Sequence, residues 1–193
     1  MRQSSAEIDH AILDVAAGIF ATHGFEHASV QQIADAVGYS KPGLLHRFGS
    51  KEALHRGVLT EVLETVQELT GYAVAHSTEP DQLRQVMERV ARKALERPGM
   101  VQMMLKAFEP DCVEPGVEAI QGAGYRLLDS LDHPLSTPAE RLRVALALQL
   151  VVNAAATQHS SVDTDMHVDT EVLVPMVVEL STFVMAGPLL SPE

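Results

Sequence analysis

The sequence predicts an all-α fold, and three observations carry that prediction. Its residues are 46% apolar but only 4% aromatic, with no tryptophan, and the apolar content is Ala, Val and Leu, which suit helices packed on helices. Apolar residues recur at i, i+3 and i+4 between successive Gly and Pro breaks. Three helix starts crowd into Ala28–Leu54, ASVQQIADAVGYSKPGLLHRFGSKEAL. A chain of 193 residues has material for one or two domains and a sizeable core, because a domain of about 150 residues already buries roughly two-thirds of its unfolded surface.

Residues 7–23 form the first helix, with Ile8, Ile12, Val15, Ala16, Ile19 and Phe20 on one side and Glu7 and Asp9 near its positive end. Gly24 ends it, and Phe25 joins a small core with Val30, Ile33, Leu44 and Phe48. His23 and His27 flank the break, which separates them as metal ligands and leaves them surface or capping roles.

Ser29 precedes an amphipathic run of Val30, Ile33, Ala34 and Val37, and a serine in that place accepts a backbone N–H as N-cap. Gly38 closes this helix in the left-handed conformation, and Ser40 caps the next. Pro42 suits a helix start, where its missing N–H costs nothing, and Leu44 with Phe48 at i,i+4 supplies an inward face. Gly49-Ser50 ends the helix and caps a third. Two short helices joined by a tight glycine turn make a helix-turn-helix, whose second helix can lie in the major groove of DNA. Between Lys41 and Arg56 stand four Lys/Arg against Glu52, a local charge of +3 inside a chain of net charge −12, which focuses anion binding at this spot.

These residues resemble the TetR-type one-component transcriptional regulators. The resemblance runs through Phe20-Ala21-Thr22-His23-Gly24-Phe25, Ser29, Ile33-Ala34-Asp35-Ala36-Val37-Gly38-Tyr39-Ser40-Lys41, Leu44, Phe48 and Ser50-Lys51-Glu52-Ala53-Leu54, continuously over residues 8–56. It implies a homodimer of all-helical subunits, each with an N-terminal DNA-binding domain and a larger domain that binds a small effector. Leu45 stands where that family most often has Tyr, and His46 where a second aromatic is common.

From Ser50 the next helix runs to about His76 on a stripe of Leu54, Val58, Leu59, Val62, Leu63, Val66 and Leu69, about 40 Å at 1.5 Å per residue. The expected domain boundary lies within it near Gly57, giving a helix-turn-helix domain at 1–56 and an effector-binding and dimerisation domain at 57–193. A helix from Pro80 to Arg97, a short one carrying Met100, Met103, Met104 and Phe108, and one from Val117 to Leu131 loosened by Gly122 and Gly124 follow. Thr137-Pro138 opens a helix that is apolar nearly all round. A last apolar stretch over 172–190 contains Pro175, so the final helix either starts near that residue or bends there. Val144–Val162 lacks charge for 19 residues, close to the roughly 20 apolar residues of a membrane span, but Gln149 and Asn153 interrupt it and Thr157–Ser161 is polar, so no span is expected. Met1–Ser5 leads into no apolar signal core, so the expected location is cytoplasmic.

The expected DNA contacts are Ser29, Gln31, Ser40, Lys41, Gly43, His46, Arg47 and Lys51. Ser29, Ser40 and Lys51 sit at helix starts and suit phosphates, whereas Gln31, Lys41 and Arg47 have the reach for base edges, and Gly43 lets the helix approach closely. Leu146, Leu150, Val151, Met176, Leu180, Phe183 and Val184 are more apolar surface than one small domain hides, which points to a homodimer through the helices of about 139–157 and 175–186. An apolar or amphipathic effector is expected among Met87, Met100, Met103, Met104, Phe108, Tyr125 and Leu128, because methionines adapt to irregular shapes. Gln149 and Asn153 either supply polar contacts to it or pair across the dimer.

Other chemistry finds little support. Cys112 is the only cysteine, which excludes an intramolecular disulfide, and Asp111 and Glu114 beside it oppose a reactive thiolate. His159, Asp163, Asp165 and His167 are of metal-binding types, but their spacing fits no motif, and a solvated acidic loop is the expected reading. No phosphate-cradling glycine loop, nucleophile arrangement or metal motif stands out, so neither enzyme nor cofactor is expected. The leading reading is a ligand-responsive transcriptional regulator, most often a repressor; the alternative is a helical interaction protein that has lost specific DNA binding.

Overall fold

In the computed structural model, residues 4–79, 81–109, 111–131, 137–159 and 168–186 are described. Among them are nine helices and no strand: α1 (Ser5–His27), α2 (Val30–Ala36), α3 (Lys41–Phe48), α4 (Lys51–Ala75), α5 (Gln82–Glu96), α6 (Pro98–Lys106), α7 (Val117–Ser130), α8 (Pro138–His159) and α9 (Thr170–Ala186). None of the described helices is long and apolar enough to cross a membrane.

The chain groups into two compact units, and they do not divide at Gly57. One comprises Met1–Val66 with Arg97–Gly124, the other Gln67–Glu96 with Tyr125–Glu193. The return of α6 to the first unit follows from its packing on α1. Gly99 lies against the Asp14 backbone, where a Cβ would overlap the Asp14 carbonyl oxygen. The Asp14 carboxylate accepts the Met100 N–H at 2.9 Å, and Arg97 donates to the His10 carbonyl at 3.0 Å and pairs with Glu61 of α4. Met100 and Met103 are thereby buried beside Ile12, Ala16 and Phe20. Each such side chain taken out of water contributes roughly 1.5–3 kcal/mol.

Helix α1 starts with a reciprocal cap: Ser4 Oγ accepts the Glu7 N–H and Glu7 accepts the Ser4 N–H. At Gly24 (φ 76°, ψ 157°) the helix breaks, and one further turn runs to His27, so the expected end at residue 23 is a break rather than a stop. The break frees the Phe25 N–H, which donates to Glu114 Oε2 at 2.8 Å. That carboxylate comes from the segment before α7, and it supplies a partner for this part-buried amide.

In the second unit α5, α8 and α9 pack on one another. Ala91, Ala147 and Ala155 are buried there, and their small side chains let helix backbones approach. Gln82, itself buried, donates to the carbonyls of Ala73 at 2.7 Å and Ser130 at 3.1 Å, which satisfies the C-terminal ends of α4 and α7. Helix α9 begins at Thr170 and runs through Pro175, so of the two expectations, a start near Pro175 or a bend there, the first is replaced by a start five residues earlier. Pro175 removes the N–H that would have bonded the Glu171 carbonyl.

Candidate nucleic-acid interface

The helix-turn-helix is fixed by its caps. Ser29 Oγ accepts the Gln32 N–H at 3.1 Å while Gln32 Oε1 accepts the Ser29 N–H at 2.8 Å, so a helix of seven residues starts with both donors satisfied. Gly38 takes φ 72°, and the Tyr39 N–H turns back to the Ala34 carbonyl at 2.8 Å. Ser40 Oγ then accepts the Gly43 N–H at 3.1 Å and starts α3, with Pro42 in its first turn. The turn between the two helices is four residues long because each end is closed by its own device.

Leu44 is 0% exposed and anchors α3 on Ile33 and Ala34 of the same core, with Phe48 half-buried beside it. At 100° per residue, the direction opposite Leu44 and Phe48 belongs to Pro42 and His46. Both are exposed, as is Lys41, and Gly43 and Leu45 are half-exposed. Lys41 and His46 make no hydrogen bond or ion pair among the described residues, so their polar atoms face outward uncommitted. Gln31 is exposed at the start of α2, where its amide donates to Asp35 Oδ1 at 2.6 Å and leaves its carbonyl oxygen available.

Two of the expected basic contacts are tied to α1. Lys51 donates to the Glu26 carbonyl at 3.2 Å and lies 4.6 Å above the Phe25 ring, an arrangement that holds its ammonium beside the turn after Gly24. Arg47 was expected to point at base edges. Its Nε instead pairs with Asp9 Oδ1, and its Nη2 donates to the Ser5 carbonyl at 2.7 Å and to Ser5 Oγ at 2.8 Å. Hydrogen bonding to Asp9 raises the Arg47 pKa further above its ordinary value. The local charge of +3 counted along residues 41–56 becomes +2 once Asp9, brought in by α1, is included. Sequence reasoning missed Asp9 and Ser5, for which it held no signal. It also missed Gln32, for which the signal was present: serine followed three residues later by glutamine is the spacing of a capping box.

Behind this surface, His55 of α4 is 3% exposed between Phe20 and Phe25, edge-on to the first at 5.0 Å and tilted to the second at 4.8 Å. Its Nε2 has no hydrogen-bond partner among the described residues. Burial pushes its pKa below the ordinary histidine value; the nearby Glu114 carboxylate acts in the opposite direction and Lys51 in the same one.

The residues expected around an effector divide between the units. Met100, Met103, Met104 and Phe108 belong to the first, where Met100 and Met103 are core residues against α1 and Met104 packs on that core. The room expected at Gly124 is taken by Phe108, whose Cζ would lie 2.5 Å from a Cβ on that glycine. Met87, Tyr125, Leu128, Gln149 and Asn153 belong to the second unit. Met87 is buried, Leu128 half-buried and Tyr125 exposed. Gln149 and Asn153 are exposed on α8, in the stripe that also carries exposed Leu142 and Leu146. An apolar crevice lined by Ala91, Leu95, Val151, Ala154, Ala155, Leu173, Val174 and Val177 is too narrow to hold a water molecule.

Of the residues expected at a dimer interface, Leu146, Met176, Leu180 and Phe183 are exposed, the last at 70%, and Leu150 and Val184 are half-buried. Val151 departs from the expectation. It is 2% exposed because it faces α5 and α9 of its own unit, so an interface cannot use it. Val172, one turn before Met176, is exposed on α9 as well. Asp163, Asp165, His167 and the side chain of His159 lie outside the described residues; among those described, no cluster of His, Cys, Asp and Glu could hold a metal ion.

Residues 12–58 match the family model of bacterial regulatory proteins, tetR family. The HTH-type transcriptional regulator RutR of Escherichia coli (strain K12) is 44% identical over 54 residues, 28% of this chain and 26% of RutR. The match thus spans about a quarter of that relative's length. Two solved structures share the fold over nearly the whole chain. A TetR-family transcriptional regulator from Bordetella parapertussis 12822 has a TM-score of 0.61 at 22% identity, covering 96% of this chain and 98% of that one. The TetR-family regulator PfmR from Thermus thermophilus has a TM-score of 0.55 at 21% identity, covering 98% and 100%. Residues 12–58, which carry the helix-turn-helix, are thus similar to the bacterial regulatory proteins of the tetR family, and the chain as a whole shares its helical fold with two TetR-family regulators.

Proposed function

We propose that the protein represses transcription as a homodimer on a two-fold operator and is released by an apolar or amphipathic small molecule. The observation that carries this reading is the presentation of α3. It is capped by Ser40, anchored by Leu44 and turned so that Lys41, Pro42 and His46 face outward without competing partners. Ser29, Gln31, Ser40, Lys41, Gly43, His46 and Lys51 are the proposed DNA contacts. The exposed apolar stripes on α8 and α9 support dimerisation, since two helices from each subunit can cover one another in a four-helix bundle.

The effector is proposed to enter the second unit, near Met87 and Leu128. The crevice between α5, α8 and α9 is lined by small and branched apolar side chains, so modest separation of these helices opens an apolar site. Helix α4 has residues in both units, which makes it the proposed route of coupling. Such coupling is typically about 1–3 kcal/mol, or roughly 5- to 150-fold in DNA affinity, and it acts equally in both directions.

Selection of duplexes from a random-sequence pool by the purified protein tests the DNA reading. Enrichment of a palindromic motif with half-sites about one helical turn apart is expected, and failure to enrich any sequence overturns it. A compound found by thermal-shift screening tests the switch. It should bind more weakly when the selected duplex is present, and equal binding with and without duplex removes it as the inducer.

A further inference from the structure

Arg47 is the only arginine on α3 and was the natural candidate to read a base. Its geometry assigns it different work. A guanidinium has five N–H donors, and three of those on Arg47 are already used: Nε on Asp9, and both protons of Nη2 on the carbonyl and hydroxyl oxygens of Ser5. Its side chain is 26% exposed. The helical wheel agrees. Arg47 lies about 100° round the axis from His46 and about 60° from the buried Leu44, so it projects sideways and not along the outward direction.

The helix itself has reason to need such a tie. It is eight residues long, bounded by Gly38 and Gly49 at positive φ, and only Leu44 on it is fully buried. One buried leucine with Phe48 behind it fixes which face is inward, but leaves rotation about the axis and sliding along it weakly opposed. A planar, three-bond attachment at the C-terminal end, made to the Asp9 side chain 38 residues earlier and to the Ser5 backbone and side chain 42 residues earlier, opposes both. The cap at Ser40 holds the other end.

We infer that Arg47 is a positioning residue for DNA recognition: clamped by Asp9 and Ser5 of α1, it sets the rotation and register of α3 and so determines what Lys41, Pro42 and His46 present, without itself contacting DNA. This inference rests on the DNA-binding reading. It differs from a parked DNA contact in a sign. Removing the Asp9 carboxylate lowers negative charge near the interface, and by electrostatics alone would tighten binding to a polyanion. A clamp requires the reverse.

The test uses the full-length protein and three variants, Asp9→Ala, Arg47→Ala and the double variant, each confirmed to have wild-type helical content by circular dichroism at the assay temperature. The probes are a duplex that the wild-type protein selects from a random pool and a scrambled duplex of equal length. Affinity for both is measured across a salt series. The clamp predicts that both single variants bind the selected duplex more weakly, by a factor on the order of ten, and that the double variant is no weaker than either, because residues of one network are not additive. It also predicts that the slope of log K against log salt stays at the wild-type value and that the ratio of selected to scrambled affinity falls. A purely structural role would lower thermal stability and leave that ratio alone, which overturns the inference. Tighter binding by Asp9→Ala, or a slope reduced by about one unit in Arg47→Ala as expected for a lost phosphate contact, also overturns it and makes Arg47 a DNA contact. Should Arg47→Ala fail to fold, Arg47→Lys, which keeps the charge but not the planar fork, is expected to lose selectivity in the same way, and undiminished selectivity overturns the clamp. If the wild-type protein selects no duplex, the DNA-binding reading fails first and the inference falls with it.

Discussion

Gly99 of α6 rests directly on the backbone of Asp14 in α1, at a distance that leaves no space for a β-carbon. This contact brings α6 into the same compact unit as the helix-turn-helix. Gly99→Ala would drive a methyl group into a carbonyl oxygen, so the helices must separate and break the Met100 and Arg97 bonds to α1. A loss of about 1–3 kcal/mol is expected from overpacking, or about 2–4 °C in melting temperature per kcal/mol for a chain of this size. A thermal melt identical to wild type would show that α6 does not bear on α1.

Lys41 and Lys51 should behave differently although both are basic residues at helix starts. Lys41 is exposed and uncommitted, so Lys41→Ala is expected to weaken a selected duplex more than a scrambled one, as a lost base-edge contact does, with an unchanged melt. Lys51 also holds the Glu26 carbonyl and the Phe25 ring. Lys51→Ala should therefore lower the melting temperature as well as the affinity. Salt titrations on both duplexes and melts of the two variants side by side check the contrast.

The two apolar stripes of the second unit predict an assembly that charge disrupts. Phe183→Glu or Leu146→Glu, at exposed positions, should convert a dimer to a folded monomer in sedimentation velocity at micromolar concentration. Val151→Ala should leave the assembly intact and cost about 1–2 kcal/mol of stability, as a buried truncation does. A wild-type protein that sediments as a monomer refutes the interface.

His55 makes stability depend on pH in a definite direction. Its pKa in the folded protein is depressed by burial, with Lys51 adding to the effect and Glu114 opposing it. The unfolded chain therefore binds the proton more readily than the folded one, and stability rises with pH across the interval between the two pKa values. The contribution is complete above the ordinary histidine range near 6.5 and is lost as the pH falls through the folded-state value. Urea denaturation at pH 7.5 and 5.5 should show this loss. In His55→Phe, where the ring still fits between Phe20 and Phe25, the loss should be smaller, and an equal loss in the variant would acquit the imidazole.

What the sequence made legible was whatever depends on neighbours along the chain. The caps at Ser29 and Ser40, the turn at Gly38, the inward Leu44 and the long helix from Ser50 to about His76 are local consequences of residue type and period, and each stands where it was expected. What stayed hidden are partners remote in sequence: Asp9 for Arg47, Asp14 for Gly99 and Glu114, 89 residues away, for Phe25. Charge counting along residues 41–56 could not see a carboxylate arriving from α1. Periodicity was likewise blind on α8, because a helix apolar on nearly every side does not say which side faces its own unit, and Val151 was placed outward when it faces in.

The division of labour within α3 bears on how such a protein changes its target. Leu44 serves folding, while Pro42 and His46 are exposed and carry almost none of the interior. On the proposed DNA-binding reading, substitution at 42 and 46 rewrites the address without first eroding the scaffold, so after duplication two copies would be free to drift toward different operators while both still fold. For the same reason a randomised library confined to positions 41, 42, 45 and 46, with Leu44 and Arg47 held constant, is the direct route to altering the proposed DNA recognition.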